Sequence, residues 1–159
     1  MTENPIELEY DLETVVKRDP RIARRGALDS LHAEALLMYQ QAQKKKHKNY
    51  GRTDILYEIA HMVSLCQLTE AGSRDARELL NSLTTSPWAN AMRTECDELT
   101  TEHFTDTPGK IMACRINVLR AHIREVELMF CFRRATEPIW IIQKALNFLS
   151  SAAYVAMWS

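Results

Sequence analysis

The segment KIMACRINVLRAHIREVELMFCF, residues 110–132, decides the fold. It contains no glycine and no proline, so nothing in it interrupts a helix. Ile111, Cys114, Val118, Leu119, Val126 and Met129 recur at helical spacings and read as its apolar face. The expected helix runs from Lys110 to about Phe132. On another stripe of it, Arg120, Arg124 and Glu127 fall at i, i+4 and i+7.

Outward from this helix, the same period repeats. Downstream, Thr136 is a good N-cap and Pro138 lies in the favoured first turn. Ile141, Ala145, Phe148, Ala152 and Val155 then form one face of a last helix. Upstream, Leu28, Leu31, Ala35 and Met38 mark a first helix from about Ile22 to Lys48, closed by the cationic run KKKHK. Asn49, Tyr50 and Gly51 read as a turn. Thr53 is a candidate cap for a second helix carrying Leu56, Ile59, Val63 and Cys66 to Glu70, stopped at Ala71-Gly72. Ser73 opens a shorter helix through Leu83. Residues 84–108 read as polar and irregular, with a short helix around Met92 to Leu99. The expected fold is all-α, a bundle of four long helices plus short ones. Residues 1–18 read as a polar leader and 19–159 as one domain.

Composition agrees and sets limits. The chain has 159 residues, 46% apolar and 26% charged, the balance of a globular domain. Only four glycines and five prolines punctuate it, which disfavours a many-stranded β fold. Twenty basic residues against 21 acidic ones leave no electrostatic footprint for nucleic acid or an anionic membrane. The opening MTENPIELEYDLET is acidic, without the apolar core of a signal peptide. No apolar stretch is long enough to span a bilayer. A cytoplasmic protein is expected. Cys66, Cys96, Cys114 and Cys131 form no CxxC and read as buried, reduced thiols.

Two constellations carry chemistry. Two arginines beside an apolar face are costly if buried alone, and useful if their forks meet phosphates or carboxylates. The bland alternative is an exposed charged face. The second constellation is Asp29 with His32 and Glu58 with His61, an acid and a histidine at i, i+3 on each of two helices. Di-iron bundles use such pairs, but they also need inward glutamates from the other helices. Here Glu127 and Glu137 are the candidates. No Gly-rich phosphate loop and no GxSxG occur, so an anion site must be built from side chains.

Several segments resemble one family, the ATP:corrinoid adenosyltransferases. GALDSLHAE (26–34) resembles their first-helix motif. RINVLRAHIREVELMF (115–130) resembles their arginine-bearing helix, and ALNFLSSAAYVAM (145–157) their final helix. KRDPRIARRGALDS (17–30) and LSSAAYVAM are closest to the ethanolamine-utilisation (EutT) type. The resemblance implies a five-helix bundle that forms homotrimers, with active sites between subunits. It implies transfer of the 5′-deoxyadenosyl group of ATP to reduced cob(I)alamin, releasing triphosphate, with Mg²⁺ and a reductase for cob(II)alamin. Association with a microcompartment is a further family trait.

Carried over by position, Arg124 and Glu127 are the catalytic pair. Arg120, Arg124, Glu127, Asn147 and Lys17 bind ATP, and Glu127 lies near Mg²⁺. Asp29 pairs with Arg120 of a neighbouring subunit, and Phe104 covers the lower corrin face. The chain also departs from the pattern. The Gly/Thr-rich phosphate motif is missing, and Lys17, Arg21, Arg24 and Arg25 are candidates to replace it. The His/Cys motif of the EutT type has no match, so no structural zinc or iron is expected. Phe148 stands where the final-helix motif usually has arginine. These departures leave a non-catalytic corrinoid- or nucleotide-binding member as a second reading, and the acid–histidine pairs leave a helical metal protein as a third.

Overall fold

The structure is a computed structural model that describes residues 20–44 and 52–159. Six helices occur there: α1 (Pro20–Lys44), α2 (Thr53–Glu70), α3 (Arg74–Thr84), α4 (Pro87–Glu102), α5 (Ile111–Leu128) and α6 (Glu137–Met157). No strand occurs among the described residues, so the all-α expectation holds. The leader, the KKKHK run beyond Lys44 and the Asn49–Gly51 turn lie outside the described residues.

Side-chain pairs fix how the helices run. Asp29 meets Gln67 and Tyr39 meets Tyr57, so α2 runs antiparallel to α1. Gln41 meets Arg115, Glu34 meets His122 and Arg24 meets Phe130, so α5 is antiparallel to α1 too. α6 packs against α5 and α2 and completes a four-helix ring in the order α1, α2, α6, α5. α4 lies along α6 in the same direction, with Trp88 on Phe148 and His103 on Trp158. α3 links α2 to α4 and packs on both α2 and α6.

α6 is enclosed by four neighbours, which is why it reads as the most apolar segment. Ile141, Ala145, Phe148, Ala152 and Val155 are all buried, as their spacing predicts. Phe148 is buried against the edge of Trp88, with the Arg93 guanidinium 4.9 Å from its ring centroid. Phe148 thus anchors α4, and burying it is worth about 1.5–3 kcal/mol.

Expectations about α4 and α5 need correction. Residues 84–108 are not mainly irregular, because α4 spans Pro87–Glu102. Its start signal is Ser86-Pro87, where Ser86 Oγ accepts from Ala89 N at 3.2 Å and proline takes a position needing no N–H donor. The apolar face of α5 was also misassigned. Leu119 and Val126 are buried, but Ile111 and Val118 are each 64% exposed, and Cys114 and Met129 also face outward. Met112, Ala113, Ile116 and Ile123 fill the core instead. The helix carries two apolar stripes, and spacing alone cannot rank them.

The other boundaries follow local chemistry. Gly72, at φ 102°, ends α2 in a Schellman motif: Ser73 N donates to Leu68 O and Gly72 N to Thr69 O. Ser73 Oγ then caps α3 through Ala76 N. Thr53 is the first residue of α2 rather than its cap, and Thr136 caps α6 without a side-chain hydrogen bond.

Candidate functional site

α5 and α6 bring two of the expected residues into contact. Glu127 is only 7% exposed, one turn beyond Arg124 and facing α6. Its Oε1 accepts from Asn147 Nδ2 at 3.0 Å and from Gln143 Nε2 at 3.2 Å. Gln143 and Asn147 lie at i, i+4 on α6, so one stripe of that helix supplies both donors. Gln143 was not foreseen. Its signal was the spacing itself, two amides one turn apart in an apolar helix. A buried carboxylate needs such donors, because each unpaired oxygen would carry a desolvation cost.

The arginines differ in commitment. Arg120 is half-buried, and its Nε donates to Asn117 Oδ1 at 2.9 Å. Arg124 is exposed and has no hydrogen bond or ion pair among the described residues. Its fork is therefore available to a bidentate anion. The two neighbouring clefts add apolar walls. Gln143 borders one of about 330 Å³ with Phe130, Cys131 and Trp140. Phe132 and Ala135 are shared with a second, of about 370 Å³, rimmed by Arg21, Arg24 and Arg134.

Arg24 is engaged within the chain, although its Nε makes no hydrogen bond. It is buried, its Nε lies 3.7 Å from Glu70 Oε1, and its guanidinium lies over the Phe130 and Phe132 rings. Arg21 and Arg25 are exposed at the same end of α1. Lys17 lies outside the described residues.

Asp29 and Arg120 do not meet within one chain. Asp29 accepts from Gln67 Nε2 at 2.6 Å. The Glu34–His122 pair sets the register of α1 against α5 and places Asp29 level with Glu127. Arg120 lies seven residues back along α5, about 10 Å along the axis. Phe104 lies at the opposite end of the bundle, in the turn after α4, and is 83% exposed. Arg124 is 13 residues into α5 from Ile111, about 20 Å away along the helix.

The metal constellation does not assemble. Glu58 pairs with His61, and Asp29 bonds Gln67. No group of three His, Cys, Asp or Glu side chains comes together among the described residues. The thiols also depart from expectation. Cys66 is buried and burial pushes its pKa up, so it stays protonated and inert. Cys114 and Cys131 are exposed, and all four are free.

The described residues form an all-helical bundle in which a buried carboxylate is held by two amides, one turn along α5 from an exposed arginine. The chain belongs to the cobalamin adenosyltransferase family, whose sequence model, described as "Cobalamin adenosyltransferase", matches residues 7–159. The family acts on corrinoids as an adenosyltransferase, with ATP and cobalamin as substrates. No curated protein and no solved structure matches the chain. No helix among the described residues is long and apolar enough to cross a membrane.

Proposed function

We propose that this chain transfers the 5′-deoxyadenosyl group of ATP to cob(I)alamin, forming adenosylcobalamin and releasing triphosphate. The observation that carries the reading is the convergence of Glu127 and Asn147, one helical turn from Arg124, which is exposed and without a polar partner among the described residues. In this reading the Co(I) electron pair forms the bond to ribose C5′ as the C5′–O bond breaks. The departing oxygen takes negative charge into the triphosphate. Arg124 stabilises that charge, with Mg²⁺ supplied along with ATP. Glu127 has an oxygen left for Mg²⁺ or a ribose hydroxyl, and its amide clamp keeps that oxygen in place. Mg²⁺ commonly binds through one carboxylate plus substrate phosphates, which suits a chain with no metal cage among its described residues.

The site is completed by neighbouring copies in a homotrimer. Three features support this. Asp29 and Arg120 are too far apart in register to pair within a chain. The stripe Ile111, Cys114, Val118 on α5 is exposed and apolar. That stripe lies between Phe104 and Arg124, and two large substrates, a corrin ring and a nucleotide, need such a length. Phe104 covers the lower corrin face. Arg120 and Lys17 assist in holding ATP. A reductase supplies electrons to cob(II)alamin. We read 19–159 as one domain behind a polar stretch of sequence, 1–18, and the chain as of the EutT type, with microcompartment association as its corollary.

The test is anaerobic. The protein, Mg-ATP and chemically reduced cob(I)alamin are mixed, and the light-sensitive cobalt–carbon product is followed in the visible spectrum. Arg124→Ala should lower the rate on the order of a hundredfold or more, with the helical circular dichroism unchanged. A near-normal rate would defeat the site assignment. A wild-type protein that binds cob(II)alamin without ATP-dependent product would be the non-catalytic member.

A further inference from the structure

The turn that carries Phe104 is held by contacts the adenosyl-transfer chemistry does not use. The His103 imidazole stacks on the Trp158 indole, with centroids 3.9 Å apart and planes 3° from parallel. His103 Nδ1 lies 2.9 Å from Asp106 Oδ2, and Asp106 N donates to His103 O at 3.0 Å. On the far side of the turn, Cys114 Sγ reaches Pro108 O at 3.4 Å. Phe104, between these anchors, is the most exposed large apolar side chain described. Its ring makes no aromatic contact among the described residues, so the turn's backbone is what places it. Trp158 follows the last turn of α6, and Tyr154 packs against it edge-on. Among the described residues the Trp158 Nε1 is buried without a hydrogen-bond partner, and the contacts of the indole are made through its ring.

We infer that His103 and Trp158 form a clamp that presets the Phe104 turn against α6, and that both are positioning residues for the corrinoid. The inference rests on the reading of Phe104 as the residue under the corrin ring. α6 also carries Asn147, so one rigid helix fixes both the corrinoid turn and the nucleotide end. The physical gain is preorganisation. An exposed aromatic ring that must displace a cobalt ligand does so better from a turn already ordered before binding.

Two readouts test it. The first is hydrogen exchange on the free protein at the His103 and Asp106 amides, both hydrogen-bonded in the turn. His103→Ala should speed exchange there about tenfold, the scale of a lost aromatic contact. His103→Phe, which keeps a flat ring, should restore much of the protection. The second is the fraction of bound cob(II)alamin that shows the four-coordinate spectrum with Mg-ATP. It should fall in His103→Ala and Trp158→Ala as it does in Phe104→Ala, while the KM for ATP stays unchanged. Unchanged exchange in His103→Ala overturns the clamp. So does a wild-type four-coordinate fraction in both clamp variants when Phe104→Ala has lost it. A Phe104→Ala protein that keeps the full fraction refutes the role of Phe104, and the purpose of the clamp with it. Absence of any corrinoid binding in the wild type refutes the function reading itself.

Discussion

Glu127 and Arg124 are one helical turn apart and have opposite fates. Glu127 turns inward and gives one oxygen to two amide donors; Arg124 is exposed and makes no hydrogen bond or ion pair among the described residues. That division is what a site needs if the carboxylate is a fixed part and the guanidinium a contact made only with ligand. Glu127→Gln separates the two tasks of the carboxylate. The variant keeps an acceptor oxygen for Asn147 and Gln143, so thermal stability should change little. It loses the charge, so transfer should fall by about 2 kcal/mol, on the order of thirtyfold. Equal rates in variant and wild type would make Glu127 a packing residue. Arg120 and Arg124 were legible as a pair from spacing. The burial of Glu127 was not, because i+7 on the arginine stripe says nothing of which neighbour it faces.

At the scale of elements, α4 teaches the most about what a chain discloses. Its sequence, PWANAMRTECDELTTE, has a weak apolar face, and only Ala89 and Met92 on it are buried. Its start is nevertheless written in two residues, Ser86 and Pro87. Removing that cap should cost about 1 kcal/mol. Ser86→Ala should then lower Tm by roughly 2–4 °C for a chain of this size. Thr136→Ala is the control, since Thr136 makes no side-chain cap bond to α6. Equal shifts in the two variants would mean that the Ser86 bond contributes nothing. α5 shows the opposite limit. Its stripes Ile111–Cys114–Val118 and Met112–Ile116–Leu119–Ile123 are both apolar at helical spacing. Period reveals that a helix has an apolar side, but where two stripes are apolar it cannot say which one faces the core.

For the whole molecule, the register of the bundle carries the sharpest consequence. Side-chain pairs along α1 against α5 put Asp29 opposite Glu127 and leave Arg120 about 10 Å away. If the two pair across subunits, a charge exchange should show it. Arg120→Asp alone should weaken the proposed trimer in sedimentation velocity and lower transfer. Asp29→Arg together with Arg120→Asp should recover both, since the coupling of a contacting pair is what a double-mutant cycle isolates. A double variant no better than the single one would remove the pair from the interface.

By itself the sequence determined the helical class, the positions of five helices and the family to which the chain belongs. Those depend on local period, on caps and stops, and on ordered motifs, all of which act within a few residues. The tertiary structure alone decided which stripe of α5 is core, that Arg24 is spent on Glu70 and two phenylalanine rings, and that Gln143 joins Glu127. It also decided that Asp29, His32, Glu58 and His61 do not form a metal site. Each of these turns on which helix lies beside which, and at what register. That is a property of packing between segments distant in the chain, where spacing within one segment has nothing to say.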